Sequence, residues 1–437
     1  RRSVLRFLQL TKKLWANDAS RWAFLGISML ASIVATLLLP QKYSYTGMSQ
    51  DFDYYMLAIA ADLRTVGKLR GMSDDSALLS AHDLQAQVFK RDVVWNNDGG
   101  WLLEPGAWRD HPDMAFAGNS MLRGGLSKAP VNNIGWDTSH FHRMPLFLYV
   151  MEHAETDQAA KDDLGKLRTG LAAQFNKHVL VPADDTYRLP RTNNFMDGSN
   201  GVYRYGYEKR GDDFGYGPYQ LSGTFLLGWW SFLNDPTVNS QYAVAAERMP
   251  MTDAEKELYK LRFSNDAWFL MSDLASKLKI GDTTSWTPTD KESKAFSSFV
   301  VPTMNGPFWR GDSAQGTSFS MMVPMHAAFW GGPATWRNAY SDHFDKFVSE
   351  GAGSMKGGRL SRLHYLEFAA RYLALTAEYD SARFSKPLYD TVYGAWASLW
   401  NDGSETVSQT GWGEPKFNGY ERYLRWKVGQ PRAGIGS

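Results

Sequence analysis

Apolar residues recur at helical spacing along most of the chain after about residue 43, with polar residues on the opposite faces. The repeat predicts helices over the segments 51–69, 76–89, 139–153, 157–180, 219–233, 258–278, 360–379 and 388–400. Thr252 and Glu255 have the spacing of a capping box, which marks the start of a helix. Strand signals are scarce, and 299–304 is the best short candidate. The pattern therefore predicts an all-α fold.

Long segments rich in Gly, Pro, Asn and aromatic residues separate the predicted helices; the main ones are 95–135, 182–218, 303–333 and 402–430. Loops of this length are usually functional or disordered, and these are too aromatic for disorder. We expect them to be ordered and packed together at one end of a helical body. Alternating short turns and long loops predict an α/α toroid, six-hairpin-like, with a cleft at one rim; an irregular helical bundle is the alternative. No linker composition divides 43–437, which predicts one domain.

The N-terminal region carries the pattern of a membrane anchor. The stretch 22–39 has no charged residue, and a helix of that length, at about 1.5 Å per residue, matches the hydrocarbon thickness of a bilayer. Lys and Arg dominate the segment before it, against a single Asp18. The positive-inside rule therefore predicts a cytoplasmic segment 1–21, an inner-membrane anchor 22–40 and a periplasmic domain 43–437. A cleavable signal peptide is the alternative, but no small-x-small site follows the apolar run directly.

Composition excludes several kinds of chemistry. The chain has no cysteine, which rules out disulfides, thiolate metal sites and a cysteine nucleophile. Its net charge of +1 provides no overall field for nucleic acid, so we expect no nucleic-acid partner. Nucleotide-binding glycine motifs are absent and the nine histidines are scattered, so we predict no cofactor and no metal site. Aromatic residues make up 14% of the chain, and they either fill a large core or line a binding surface.

The stretch "WDTSHFHRMP" combines a helix start with titratable side chains. Asp137, Thr138 or Ser139 can cap the helix that follows. His140 and Arg143 are three residues apart and therefore share a helix face. One interpretation makes His140 a general acid or base that Asp137 or Arg143 tunes. The other is a capped helix start with a locally hydrogen-bonded histidine.

The stretch "DGSNGVYRYGY" begins with a turn at Asp197 and continues into a tyrosine-rich loop. Tyr203, Tyr205 and Tyr216 have rings that can stack on a sugar and hydroxyls that can bond to it. Arg204 can bind the carboxylate of an acidic sugar. The alternative is a rigid loop whose tyrosines bury the ends of helices.

The segments "NNIGWD…R-x-P" and "DGS…Y…GYGPY" resemble the toroid domain of polysaccharide lyases of the chondroitin and hyaluronate type. In that family an asparagine neutralises the uronate, and a histidine and a tyrosine act on protons. The resemblance implies that Asn132 or Asn133 is the neutraliser and that Tyr216 or Tyr205 is the tyrosine. No histidine follows the Asp-Gly-Ser turn, so His140 would have to take its part. The large β-sandwich of those lyases has no counterpart in this sequence.

Hydrolysis of a glycoside is the competing chemistry, and it needs two carboxyl groups about 5–10 Å apart. Candidate carboxylates in the loops are Glu104, Asp113, Asp137, Asp197, Glu208 and Asp312. Burial among aromatic rings such as Trp108 or Trp309 would raise the pKa of a carboxyl toward that of a general acid.

The sequence thus predicts a membrane-anchored periplasmic protein that binds a polysaccharide and cleaves it by hydrolysis or elimination. The predicted catalytic residues are Asp137, His140, Asp197 and Tyr205. The predicted substrate-binding residues are Asn133, Trp136, Arg143, Tyr203, Arg204, Tyr216, Trp108 and Trp309. The predicted partners are a polysaccharide and, through 22–40, the lipid bilayer. The alternative is a non-catalytic structural or glycan-binding subunit of a membrane complex or homo-oligomer, whose aromatic loops would contact other chains.

Overall fold

The computed structural model describes residues 48–205, 210–260, 263–306, 309, 313–350, 359–401, 406–407 and 417–432. The predicted cytoplasmic segment 1–21 and the predicted anchor 22–40 lie outside these residues. Within the described ranges, no helix combines the length and the apolar character that a membrane span requires.

The predicted all-α class is confirmed, because 61% of the structure is helix and 5% is strand. The helices are α1 (Asp51–Leu69), α2 (Ser76–Asp92), α3 (Thr138–Phe141), α4 (Met144–Ala154), α5 (Gln158–Gln174), α6 (Pro236–Glu247), α7 (Asp253–Tyr259), α8 (Asn265–Lys277), α9 (Asp290–Ala295), α10 (Val301–Asn305), α11 (Ser313–Phe329), α12 (Ala334–Glu350), α13 (Arg359–Tyr379), α14 (Lys386–Asn401) and α15 (Tyr420–Val428). Two π-helical turns extend α5 and α9, namely Phe175–Val179 and Phe296–Val300. Two 3₁₀ segments, Ser222–Leu227 and Trp229–Leu233, follow the tyrosine-rich loop.

Strands occur as short antiparallel pairs within the connections. The pairs are β1 (Val93–Trp95) with β2 (Trp101–Leu103), β3 (Leu180–Val181) with β4 (Arg191–Thr192), and β5 (Thr406–Val407) with β6 (Phe417–Asn418). Each pair closes one connection upon itself, so the strands fix loops and do not build a separate layer.

The helices pack in an inner and an outer set. Contacts of the inner set run in a closed cycle from α1 to α4, to the 3₁₀ segment Trp229–Leu233, to α8, to α11, to α13 and back to α1. The outer helices each lie against an inner one: α2 on α1, α5 on α4, α6 on α8, α12 on α11 and α14 on α13. The inner helices consequently bury more than one face, as α13 does with both apolar and polar side chains.

Side-chain caps set the starts of several helices. Asp75, Asp157 and Asp235 each accept from backbone amides in the first turn of α2, α5 and α6. The capping box of Thr252 and Glu255 is confirmed at the start of α7, where each side chain bonds to the other residue's amide.

Several sequence expectations about local structure were wrong, among them the predicted loop 402–430, which contains α15. The predicted strand 299–304 is helical, because Val300 and Met304, one helical turn apart, are buried whereas Val301 is exposed, which is not the alternation of a strand. The predicted loop 303–333 contains α11, whose Met- and Phe-rich sequence is buried on nearly every side. The predicted helix 219–233 is instead a pair of 3₁₀ segments, broken at Gly228, which has a φ of +89°.

Candidate active site

Two connecting segments that are distant in sequence are joined by backbone pairing. Asp137 and Phe195 form an antiparallel bridge. On either side of it, the Met196 amide donates to the Trp136 carbonyl at 2.8 Å, and the Thr138 amide donates to the Asn194 carbonyl at 2.8 Å. The start of α3 is therefore fixed against the tyrosine-rich loop.

Asn194 holds the tyrosine-rich loop in shape from inside. Its side chain is fully buried, and its amide nitrogen donates to the carbonyls of Gly201 at 2.9 Å and Gly217 at 2.8 Å. Its side-chain oxygen accepts from the Leu221 amide at 3.2 Å. One side chain thus ties together three points of a loop that has little regular structure of its own.

Asp137 and His140 form a hydrogen-bonded pair at the start of α3. His140 Nδ1 lies 2.9 Å from Oδ1 and 2.8 Å from Oδ2 of Asp137, which also caps the helix by accepting from the His140 amide. Asp137 is buried, whereas the His140 side chain is 35% exposed. The carboxylate therefore fixes Nδ1 as the donor and leaves Nε2 to act on a ligand.

Electrostatics shift the pair toward its charged forms. Burial disfavours the imidazolium of His140, but attraction and hydrogen bonding to Asp137 outweigh this effect and raise the pKa of His140. For Asp137, burial opposes ionisation, and the contacts with His140 and Ser139 nevertheless lower its pKa. A histidine in this setting is a stronger base than an isolated one.

Three of the predicted tyrosines surround this histidine. Tyr203 pairs with Tyr216 through two backbone hydrogen bonds of 2.9 and 2.7 Å, and their rings are stacked with centroids 6.2 Å apart. The ring of Tyr205 lies 6.3 Å from that of His140, and the ring of Tyr203 lies 6.5 Å from it. Tyr205 is 43% exposed, so it is the most accessible of the three side chains.

A cavity of about 530 Å³ lies in front of these groups. Its described lining includes His140, Arg143, Tyr203, Tyr205, Tyr216 and Lys260, together with Gln220, Thr224 and Phe319. We call Arg143 and Phe319 the floor of this cavity. Five predicted residues thus share one cavity, with Asp137 directly behind His140. No carboxylate side chain is among the described lining residues.

Arg143 belongs to the floor of this cavity. Its Nη1 donates to Asp51 Oδ2 at 2.6 Å and to the His140 carbonyl at 3.2 Å, and its guanidinium lies 4.6 Å from the ring centroid of Phe319. The side chain is 3% exposed. Arg143 therefore positions α3 and adds positive potential, with little freedom to move toward a ligand.

The remaining predicted site residues lie outside the cavity lining. Asp197 accepts from the Gly135 amide at 2.9 Å and from Ser199, and so stabilises the junction of the two segments. Asn133 is exposed, and Trp136 is buried against Trp108. Arg204 is fully buried and pairs with Asp212 at 3.0 Å.

Trp309 stands in a different part of the fold. It packs against Phe368 of α13 and near His343 of α12. Among the hydrolase candidates, Glu104 is buried in an ion pair with Arg91 at 2.9 Å. Glu208 and Asp312 lie outside the described residues.

Two cavity residues had no signal in the sequence. Lys260 reaches the lining because the chain turns at this residue with a φ of +56°, where α7 ends. Phe319 belongs to α11, which was predicted as a loop. No local pattern marks either residue, since both reach the cavity through the packing of distant helices.

No family model, no characterised protein and no solved structure matches this chain. In the described part of the chain, no three His, Asp or Glu side chains are grouped so that they would hold a metal ion.

Proposed function

We propose that this chain binds an acidic polysaccharide in the His140 cavity and cleaves it by β-elimination. The observation that carries the proposal is the convergence of the Asp137–His140 pair with the exposed side chain of Tyr205 on one cavity. A proton-accepting and a proton-donating group facing one space are what elimination requires.

We also propose that the helical body is an α/α toroid. The closed cycle of inner helices, each covered by an outer one, supports this architecture. The His140 cavity lies where connecting segments meet the ends of inner helices, as a rim cleft in a toroid would.

In the proposed reaction, His140 Nε2 removes the proton from C5 of a uronate, next to the carboxylate. The electron pair of that C–H bond forms the C4=C5 double bond, and the C4–O4 glycosidic bond breaks toward O4. Tyr205 donates its hydroxyl proton to O4, and the two groups then exchange protons with solvent to restore the starting state. Asp137 stabilises the imidazolium that forms at His140.

The charge of the cavity supports an acidic substrate. Arg143 and Lys260 are the cations of a described lining that has no carboxylate, and each also pairs with a carboxylate outside it, Asp51 and Glu257 respectively. A uronate carboxylate bound beside Lys260 would have its charge offset, which makes the C5 proton easier to remove. Hydrolysis is less well supported, because it needs two carboxyl groups at the bond that breaks.

The proposal includes an inner-membrane anchor at 22–40 and a periplasmic location for the helical body, as the charge pattern of the sequence favours. Fractionation of cells that express the full chain, followed by protease treatment of spheroplasts, would test this part separately.

The activity is tested with the full chain in detergent and a panel of acidic and neutral polysaccharides. Elimination gives new reducing ends together with ultraviolet absorbance from the double bond, and we expect both from an acidic substrate. His140→Ala should abolish the activity. The matched control is His178→Ala, because His178 forms a similar pair with Asp98 at 2.6 Å outside the cavity. Inactivity across the panel, or equal losses in both variants, would contradict the proposal.

A further inference from the structure

Behind the cavity floor, five buried side chains have polar atoms without a hydrogen-bond partner among the described residues. The atoms are Tyr55 Oη, His142 Nε2, Arg143 Nε, both ring nitrogens of His364 and both carboxyl oxygens of Glu367. Each of these residues is at most 2% exposed. Buried polar groups in folded proteins are almost always satisfied, so a group of this kind indicates a bound partner.

These side chains converge from separate helices. His364 and Glu367 are three residues apart on α13 and so share a face. The ring of Tyr55, on α1, lies 4.7 Å from that of His364 in an edge-on arrangement. Arg143 lies 5.7 Å from the Tyr55 ring centroid, which links the cluster to the start of α4.

Phe319 lies between the cavity and the His364 side of the cluster. It is part of the cavity lining, and its ring lies 5.1 Å from that of His142 and 4.9 Å from that of His364. His142 and Arg143 also line the cavity. The cluster is therefore the inner side of the cavity floor.

We propose that this cluster is a binding site for ordered water, an inner chamber closed from the cavity by Phe319. Water fits because tyrosine, neutral histidine and a protonated carboxyl can each both donate and accept a hydrogen bond. Desolvation raises the pKa of Glu367 well above its ordinary value and lowers that of His364 well below it, which favours the neutral form of each. A buried water typically makes about three hydrogen bonds, which these groups supply.

The chamber does not depend on the proposed elimination, and it can be tested without a substrate. X-ray radiolysis of the full chain in ¹⁸O-labelled water oxidises buried side chains that contact bound water, and mass spectrometry locates the label. Tyr242 is the matched control, since it is equally buried and its hydroxyl donates to the Phe225 carbonyl at 2.9 Å.

We expect Tyr55 and His364 to be labelled several-fold faster than Tyr242. Glu367→Leu should reduce the labelling of Tyr55 to the level of Tyr242, whereas Glu367→Gln, which still hydrogen-bonds, should retain it. Labelling of Tyr55 and His364 at the Tyr242 rate in the wild-type chain would overturn the proposal, whatever the variants do.

Discussion

The imidazole of His140 is held by both carboxylate oxygens of Asp137, at 2.9 and 2.8 Å, in a cavity whose described lining has no carboxylate of its own. The carboxylate thus lies behind the histidine and not beside the ligand. In the proposed reaction, this arrangement would make His140 the accessible proton acceptor and Asp137 the group that positions it.

The first prediction concerns the pH dependence of cleavage. His140 acts as a base only when it is neutral, and its pKa is raised above the ordinary value of 6.5. The rate should therefore rise with pH through a value above 6.5 and be lost below it. A rate that falls as pH rises through that range would assign His140 the opposite role.

Asp137→Asn removes the charge that raises the pKa of His140. The rise in rate should then move to lower pH, because the imidazolium is no longer stabilised by a carboxylate. The maximal rate should fall by about 100-fold or more, since the asparagine favours the wrong tautomer. A pH–rate profile of the variant that overlays the wild-type profile would contradict the assignment of Asp137.

Tyr205→Phe should reduce kcat by about 100-fold while leaving KM nearly unchanged, because the ring remains and only the proton donor is lost. Tyr187→Phe is the control, since Tyr187 lies outside the cavity lining. A raised KM with an unchanged kcat would instead mean that the Tyr205 hydroxyl binds the substrate and does not donate the proton.

A buried ion pair joins the C-terminal helix to the first one. Lys427 of α15 is bonded to Asp53 of α1, and both side chains are fully buried. Lys427→Ala should lower the free energy of unfolding by about 3–5 kcal/mol, because the buried Asp53 carboxylate loses its cationic partner. The double variant Lys427→Met with Asp53→Asn should lose less unfolding free energy than Lys427→Ala. Chemical denaturation measures both losses. A double variant that is less stable than Lys427→Ala would show that the charge is not the cause.

Ionisation of Glu104 should lower the free energy of unfolding as pH rises. Burial, together with repulsion from Asp92, raises the pKa of Glu104 to about 7 from 4.5. The folded state then binds more protons than the unfolded state between these values, so the free energy of unfolding decreases over that interval by on the order of 3 kcal/mol. Glu104→Gln should remove this decrease, and equal pH slopes in the variant and the wild-type chain would contradict it.

The hydrophobic repeat of the sequence predicted helices correctly where those helices are amphipathic. The helix predicted over 51–69 agrees with α1 at both ends, because its apolar repeat is regular and Leu69 is followed by a turn. Helix α11 was missed because it is apolar on nearly every side and contains Pro324, so it has no amphipathic period. Residues 299–304 have the composition of a strand, and packing against neighbouring helices makes them helical.

In the candidate site, too, contacts set by local spacing could be predicted from the sequence, and contacts set by long-range packing could not. The Asp137–His140 contact follows from spacing within one helix start, and the sequence predicted it as one of two interpretations. Burial of individual side chains could not be predicted, since Arg204 and Trp136 look like ligand contacts in sequence and are enclosed by residues far along the chain. Lys260 and Phe319 reach the cavity only through the assembled helices.

The most direct test of the central claim is mass spectrometry of the products formed from an acidic polysaccharide in ¹⁸O-labelled water. Elimination breaks the C4–O4 bond without adding water, so the account predicts an unsaturated product and no ¹⁸O at the new reducing end when analysed before exchange. One ¹⁸O atom in each newly formed reducing end, with no unsaturated product, would mean hydrolysis and would contradict the role given to His140 and Tyr205.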